Sequence, residues 1–361
     1  MKLTQRLVAF TVATTAGVAM AAAGFAGAVQ AAPASAASTV VSSTSKLTPE
    51  VARTVHGTGL QAQQNALAAY WNADRMKAAK PDAQLPSMKA AATRSPAALQ
   101  SAAAATTHGA PARVAGAAPK TTPKALTSGS TDTGISAQYY YPGYPVGHPV
   151  ARTNGKVFFT SFGVNYVCSA SIVNSEGKSE VWTAGHCVSD GGAWNYNWVF
   201  VPNYYNGVAP YGYWYSQQLW TTGAWFSNNN DFANDVGASI MYRNNGWRIT
   251  DYLGGQGIAW NYGIPQYVYA FGYPQASPFN GQWLYAEQGY TYNGGGNTIF
   301  MVNYLTGGSS GGPWLGWFDG NFGYINGHND FKYNAYPQYM YSPYYGDQVA
   351  NLYNTVRYIS A

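Results

Sequence analysis

The segments Thr183–Cys187 (TAGHC) and Gly308–Pro313 (GSSGGP) decide most of what this chain can fold into and do. The first supplies His186 and the second supplies Ser310, a candidate base and a candidate nucleophile. A serine hydroxyl is barely nucleophilic at neutral pH, so it needs an imidazole to accept its proton and a carboxylate to hold that imidazole in one tautomer. Asp235, which lies between the two segments, is the candidate carboxylate.

The glycines around Ser310 predict a turn that binds an oxyanion. A turn with few side chains lets the N–H groups of Gly308 and Ser310 converge where a tetrahedral oxyanion would form. A glycine- and serine-rich run is also typical of a flexible linker. The continuation Pro313–Leu315 is apolar, however, and a linker does not usually run straight into such a segment.

A second aspartate, Asp231, competes with Asp235 for the role of the carboxylate. Asp235 opens the apolar run Val236–Met241, which is typical of a core strand, whereas Asp231 follows three asparagines in a turn-forming cluster. Because a carboxylate that orients a histidine must be buried and held rigidly, we favour Asp235.

Taken as a pair, the two segments resemble those of the chymotrypsin-like serine endopeptidases, nearest to the secreted bacterial branch that contains the glutamyl endopeptidases. The resemblance covers about residues 155–361. It implies an all-β fold of two antiparallel barrels with a C-terminal helix, the active site between the barrels, and peptide bonds as substrate. It also implies that His186 is the general acid and base, that Asp235 orients it, and that Ser310 is the nucleophile that forms an acyl-enzyme.

Other functions remain open beside this one. Residues 308–312 also match G-x-S-x-G, the nucleophile elbow of the α/β-hydrolases, but that fold places its histidine after the serine and the acid. The one histidine after Ser310 is His328, only 18 residues later, which is too soon for the intervening elements. A serine esterase is one alternative. An aromatic-rich pseudo-protease that binds cell-wall polysaccharide is another, since surface tyrosines and tryptophans stack on sugar rings.

Two departures from the family limit what the resemblance implies. Trypsin-like zymogens have an aspartate before the nucleophile that receives a new amino terminus, whereas this chain has Ser309, so we expect latency to come from a pro-segment instead. Glutamyl endopeptidases pair the substrate carboxylate with a histidine and a hydroxyl residue, and the corresponding positions here hold Ile325 and Leu305.

A preference for glutamate is therefore not supported, although His328 lies close enough in sequence to reach the rim of the specificity pocket. We expect an uncharged pocket lined by Tyr304, Leu305 and Ile325, which takes an apolar side chain before the scissile bond.

The first 31 residues predict a signal peptide. Lys2 and Arg6 precede a long apolar stretch, and small residues lead up to Ala31; cleavage after Ala36 is an alternative. The stretch is rich in alanine and glycine and makes a weak membrane span, so we expect a secreted, extracellular protein without stable membrane association after processing.

Residues 32–137 differ in composition from the rest, with Ala, Thr, Pro and Ser dominating. A stretch near residues 48–79 has the periodicity of a short helix, and Pro81 onward is typical of a linker. Given the family resemblance, we predict a removable pro-segment, with a solvating spacer as the alternative. Residues 138–361 then form the protease domain.

The chain has two cysteines, Cys168 and Cys187. In an oxidising compartment we expect them to form a disulfide, although two buried thiols are the alternative. Other metal-ligating residues are scattered, so we expect no metal and no cofactor.

Charge is divided unevenly along the chain. Residues 1–137 hold 12 Lys and Arg against 4 Asp and Glu, whereas residues 138–361 hold 7 against 10. The C-terminal part is slightly acidic and has no basic cluster, so nucleic acid is not an expected partner. We expect a monomer that acts on proteins or peptides.

Aromatic residues are concentrated after residue 137, which holds 30 of 31 Tyr and 11 of 12 Trp. With many Gly and Asn residues beside them, they predict strands and turns. We predict strands at Val157–Thr160, Tyr166–Val173, Trp198–Val201 and Tyr267–Phe271, a turn at Asn293–Asn297, and a helix at Asp347–Tyr358.

Overall fold

The computed structural model describes residues 39–94, 108–126, 141–142, 144–228 and 231–361, so the predicted signal peptide lies outside the described residues. Its strands are β1 Val40–Thr44, β2 Lys80–Pro81, β3 Ala112–Val114, β4 Tyr141–Pro142, β5 Asn154–Ser161, β6 Val164–Ile172, β7 Glu180–Thr183, β8 Ser189–Asp190, β9 Ala193–Trp194, β10 Tyr196–Pro202, β11 Trp214–Thr222, β12 Gly237–Met241, β13 Gly257–Trp260, β14 Tyr267–Gly272, β15 Tyr285–Tyr290, β16 Tyr292–Gly295, β17 Thr298–Val302, β18 Pro313–Gly316, β19 Tyr324–His328 and β20 Tyr339–Pro343.

The helices are short. They are α1 Pro49–Ala52, α2 Leu60–Tyr70, α3 Ala73–Ala78, α4 Pro86–Ala92, α5 Pro149–Thr153, α6 Gly223–Ser227, α7 Ile249–Leu253 and α8 Asp347–Val356, with a 3₁₀ turn at Asp82–Gln84. In the described part of the chain, none of them has the length and apolar character needed to cross a bilayer.

Six strands close into an antiparallel barrel in the order β11-β10-β5-β6-β7-β12, with β12 pairing back to β11. β-branched and aromatic residues, which favour strands, are frequent in β5, β7, β10 and β11, and β5 is buried at all eight positions. The pairing of β7 with β12 places Thr183 opposite Gly237. The residues that follow β7 and those that precede β12 therefore meet at one end of the barrel.

The barrel is the first half of the fold. The second half consists of a seven-stranded sheet in the order β3-β13-β19-β18-β14-β15-β4 and, beside it, a three-stranded sheet of β16, β17 and β20. The pairs are antiparallel except for β13 with β19, which is parallel. Strands β18 and β19 form a hairpin in which Pro313 lies opposite His328. The segment before β18 and the segment after β19 thus leave the sheet at the same edge.

The core explains much of the aromatic composition. Five tryptophans of the two halves are almost completely buried: Trp182, Trp198, Trp214, Trp225 and Trp314. Buried indole N–H groups find acceptors, since Trp182 donates to the hydroxyl of Tyr345 at 2.8 Å and Trp198 to the carbonyl of Cys187 at 2.9 Å. These side chains are therefore packing residues.

The predicted all-β architecture is confirmed. The predicted strands fall in β5, β6, β10 and β14, and the predicted terminal helix is α8, which buries Val349, Leu352, Tyr353 and Val356 on one face. Of the predicted turn at Asn293–Asn297, only Gly296 and Asn297 lie between β16 and β17, whereas residues 293–295 belong to β16.

Residues 39–94 fold onto the first barrel. Strand β1 pairs with β11 along its whole length. Trp71, which follows α2, is completely buried, with its ring 5.6 Å from that of Phe158 and its Nε1 donating to the carbonyl of Asn197 at 2.7 Å. This segment is therefore anchored to the barrel wall by both a strand and a large side chain.

The prediction of a linker from Pro81 onward was wrong for residues 81–94 and 108–126. Leu85, Met88 and Ala91 recur at helical spacing and are buried together, and β3 pairs with β13 in the second sheet. These few apolar side chains are enough because they pack into a cluster with residues of the barrel instead of forming a core of their own.

Candidate active site

His186 follows β7 and Asp235 precedes β12, so the paired strands bring them together. Nδ1 of His186 lies 2.8 Å from Oδ2 of Asp235, and the backbone N–H of His186 donates to Oδ1 at 2.7 Å. Both side chains are fully buried. The two contacts fix the ring and leave Nε2 as the atom that can gain or lose a proton.

The space beside this pair requires glycine at position 185. A Cβ on Gly185 would lie 2.7 Å from Oδ1 of Asp235 and 2.7 Å from the ring of Trp225. The competing aspartate, Asp231, instead accepts a hydrogen bond from Asn234 at 3.0 Å in the turn before the strand. The contact with His186 therefore belongs to Asp235.

Ser310 lies in the turn before β18 and is 3 % exposed. The turn needs glycine at position 308, where φ is +100° and a Cβ would lie 2.7 Å from the carbonyl oxygen of Tyr273. Ser169 of β6 ties this turn to the first barrel: its N–H donates to the carbonyl of Ser310 at 2.7 Å, and its hydroxyl donates to the carbonyl of Gly308 at 2.9 Å.

Cys168 and Cys187 form a disulfide, as expected. Cys168 precedes Ser169, and Cys187 follows His186. The bridge therefore connects the residue that holds the Ser310 turn to the segment that carries the imidazole. Sequence analysis did not identify Ser169, because its role depends on a contact between the two halves.

A carboxylate from the 3₁₀ turn Asp82–Gln84 occupies this site. Asp82 is 1 % exposed, and its Oδ1 accepts a hydrogen bond from the N–H of Gly308. Its Oδ2 accepts one from the hydroxyl of Ser310 at 2.5 Å and lies 3.4 Å from Nε2 of His186. Among the described residues, no group forms a hydrogen bond with Nε2. The serine hydroxyl thus binds Asp82 and, at 3.1 Å, the carbonyl of Asp330, and it does not bind the imidazole.

A second carboxyl group, that of Asp330, lies beside the His186–Asp235 pair. Its Oδ1 is 3.5 Å from Nδ1 of His186. One ring nitrogen of His186 and one carboxyl oxygen each of Asp235 and Asp330 lie within 4.8 Å of one another. In the described part of the chain, no donor forms a hydrogen bond with either oxygen of Asp330. Asp235, by contrast, accepts hydrogen bonds from the backbone N–H and from Nδ1 of His186.

These contacts shift the pKa values of Asp330 and His186. Burial raises the pKa of Asp330 well above its usual value, and the carboxylate of Asp235 raises it further. The raised pKa favours the protonated, neutral form of the Asp330 carboxyl group. Burial also works to lower the pKa of His186, but the surrounding carboxylates, Asp235 foremost, outweigh it and raise that pKa well above its ordinary value.

Three of the four predicted specificity-pocket residues lie elsewhere. Leu305 and Ile325 are completely buried in core clusters. His328 is buried on β19 with its Nδ1 2.9 Å from the hydroxyl of Tyr345, and burial lowers its pKa to about 3. It is a neutral core histidine and does not reach a pocket rim. Only Tyr304, which is about half exposed, borders the cavity beside Ser310.

That cavity has a volume of about 420 Å³ and lies between Asp82, Ser310 and the segment after β19. Lys332 lines it, with Nζ donating to the carbonyls of Asn303 at 2.6 Å and Pro337 at 2.9 Å. Burial lowers the pKa of Lys332 to about 8. The sequence analysis missed this cation, so its prediction of an uncharged pocket does not describe this cavity.

Solved structures similar to this chain are bacterial proteases. The protease Anisep from Arthrobacter nicotinovorans is 39 % identical, with a TM-score of 0.54, and the match covers 57 % of this chain and 96 % of Anisep. A thermostable serine protease, AL20, from an extremophilic microorganism is 37 % identical, with a TM-score of 0.54 and coverage of 57 % and 97 %.

A glutamyl endopeptidase shares the fold at 15 % identity, with a TM-score of 0.50 and coverage of 62 % of this chain and 98 % of that one. Scans of family models and of curated proteins gave no match. Since this chain covers nearly all of two serine proteases at more than 35 % identity, and has their fold, it belongs to the bacterial chymotrypsin-like serine endopeptidases.

Proposed function

We propose that this peptidase cleaves peptide bonds through a triad of His186, Asp235 and Ser310 and an acyl-enzyme. The hydroxyl of Ser310 attacks the carbonyl carbon while Nε2 of His186 accepts its proton. The protonated imidazole then gives that proton to the leaving amine, and a water molecule, activated by the same nitrogen, hydrolyses the ester. The observation that carries the proposal is the buried pair in which both oxygens of Asp235 bind His186.

The oxyanion of each tetrahedral intermediate would be stabilised by the N–H groups of Gly308 and Ser310. The N–H of Gly308 already binds an anionic oxygen, that of Asp82, which supports its part in this role. Asp330 would keep Asp235 in place as a neutral neighbour, since a carboxyl that holds its proton can donate it to an adjacent carboxylate.

The chain would be exported and processed. Residues 1–31 would act as a signal peptide, residues 32–137 as a removable pro-segment, and residues 138–361 as the mature protease, a secreted monomer acting on protein or peptide substrates. Two facts support a removable segment: Asp82 lies against Ser310, and the solved relatives cover only 57 % of this chain. The disulfide fits an oxidising, extracellular compartment.

A direct test is cleavage of a peptide library by the processed protein and by the Ser310→Ala variant. We expect the wild type to cut internal peptide bonds and the variant to cut none. Hydrolysis of simple esters without cleavage of any peptide would contradict an endopeptidase and favour the esterase alternative. The cleavage profile would also identify the side chain accepted before the scissile bond.

A further inference from the structure

We infer that Ala79–Leu85 is a built-in ligand of the active-site cleft and that the carboxylate of Asp82 is the group that silences the enzyme before processing. The inference rests on the proposed function, because it assigns Ser310 and Gly308 the roles given above. It goes further because it identifies the two carboxylate oxygens of Asp82 as the inhibitory atoms, and Gly308 and Ser310 as the residues that bind them.

Asp82 contacts each of the three groups that catalysis would require. One oxygen accepts the N–H of Gly308, and the other accepts the hydroxyl of Ser310 at 2.5 Å. The second oxygen also lies 3.4 Å from Nε2 of His186. The hydroxyl has one other acceptor, the carbonyl of Asp330 at 3.1 Å, so while the shorter contact with Asp82 lasts the serine proton is not directed to the imidazole.

The chemistry of the cleft explains why a carboxylate fits there. A site built to stabilise a developing oxyanion offers converging N–H and O–H donors, and a carboxylate presents permanent negative charge to those donors. The atom bound to Gly308 is a side-chain oxygen and not a peptide carbonyl oxygen. The segment therefore binds the N–H and O–H donors through a side chain. It does not place the peptide carbonyl of Asp82 at the oxyanion site beside Ser310. Asp82 also contributes to the raised pKa of His186, which favours the imidazolium form that cannot act as a base.

Contacts on both sides of the cleft fix the position of the residues that precede Asp82. Lys80 and Pro81 pair in parallel with Tyr166 and Val167 of β6. On the other side of the cleft, the side-chain amide of Gln275 donates to the carbonyl of Ala79.

The fit around the aspartate is close. A Cβ on Gly307 would lie 2.6 Å from that of Ala83, so this face of the cleft accepts the segment only because it has glycine there. Leu85 and Met88, which follow, are buried in a core cluster that contains residues of both halves, among them Phe159 and Phe331. Trp71 before Asp82 and Leu85 after it are both buried, so the segment is held at both ends. It therefore loses little conformational freedom when the carboxylate binds.

The test uses the full-length chain and a fluorophosphonate that reacts with the active serine, with unprocessed and processed protein separated by size. The variants are Asp82→Ala, the isosteric Asp82→Asn, and a control, Asp74→Asn, which removes an exposed carboxylate from α3 of the same segment. We expect the unprocessed wild type and Asp74→Asn to be labelled at least about 100-fold more slowly than processed enzyme. Unprocessed Asp82→Asn should be labelled at least about 10-fold faster than unprocessed wild type, and Asp82→Ala faster still.

The melting temperature of each unprocessed variant separates loss of the contact from loss of the fold. Faster labelling of Asp82→Asn with a wild-type melting temperature supports the inference. Labelling of both variants at the wild-type rate would overturn it, because the segment would then block the cleft by bulk alone. Faster labelling only in Asp82→Ala, with a lowered melting temperature, would overturn it as well. If processed wild type is not labelled either, the failure lies with the proposed function and not with Asp82.

Discussion

Nδ1 of His186 lies 2.8 Å from Oδ2 of Asp235, although the two residues are 49 positions apart in the sequence. The distance is set by the pairing of β7 with β12, and the space for it is kept free by the absence of a side chain at Gly185. The chemistry of the site therefore depends on a backbone register and on one glycine, and both can be tested.

Gly185→Ala should damage catalysis more than folding. The new methyl group would lie 2.7 Å from Oδ1 of Asp235 and must displace either the carboxylate or Trp225. Because moving a catalytic group by about 1 Å costs about 100-fold in rate, we expect kcat to fall by about that factor with a smaller change in KM. Gly263→Ala is the control, since a Cβ there meets open space. Wild-type turnover in Gly185→Ala would contradict this account.

Removing the disulfide should loosen the site as well as the fold. The double substitution Cys168→Ala and Cys187→Ala frees the segment next to His186, and loss of such a bridge typically lowers the free energy of unfolding by about 2–5 kcal/mol. Since misplacing a base chiefly harms the transition state, kcat should fall more than substrate affinity. Kinetics at a temperature where the variant is folded test this. Free thiols in the secreted protein, or an unchanged kcat, would refute it.

Asp330→Asn should leave the pH dependence of the processed enzyme nearly unchanged. Burial and Asp235 raise the pKa of Asp330 well above its usual value, which favours the neutral carboxyl group, so an amide should replace it with little change of charge. The acid limb of kcat/KM against pH, which follows protonation of His186, should stay within about 0.3 pH unit. If Asp330 were ionised, its loss would remove a negative charge near the imidazole and move that limb about one unit towards acid pH. Asp330→Ala, which has no donor for Asp235, should lower kcat.

Maturation should remove the segment that carries Asp82. We expect a cut between about Lys124 and Val150, where the composition changes, after loss of the signal near Ala31. Amino-terminal sequencing of the active secreted protein locates the cut. A fully active product that begins near Ala32 would rule out an inhibitory pro-segment.

Much of the protease half could be predicted from sequence because its signals are local. Strands such as β5 and β10 are runs of β-branched and aromatic residues, and α8 repeats apolar residues at helical spacing. The pairing of the two halves was implied by the order of His186, Asp235 and Ser310, which a known family shares.

The lining of the cavity beside Ser310 could not be predicted in this way. Strand β19 is buried on both faces, with Ile325 through His328 all buried, so alternation along the strand does not indicate which side chains point to the cleft. Lys332 follows the strand, and its relation to the cavity depends on the path of that loop.

Asp82 was missed for a different reason. It lies in an alanine- and proline-rich stretch with few apolar residues, and its contact with Ser310 spans 228 positions. Nothing local distinguishes it from an aspartate in a solvated linker. Its role depends entirely on tertiary contacts of the segment that carries it.

The central claim is that Ser310 is the nucleophile, and the most direct measurement is mass-spectrometric mapping of the residue modified by a fluorophosphonate on the processed protein. We predict a single labelled peptide carrying the modification on Ser310, no labelling in Ser310→Ala, and retained but much slower labelling in His186→Ala. Modification of another residue, or labelling that persists unchanged in Ser310→Ala, would contradict the account.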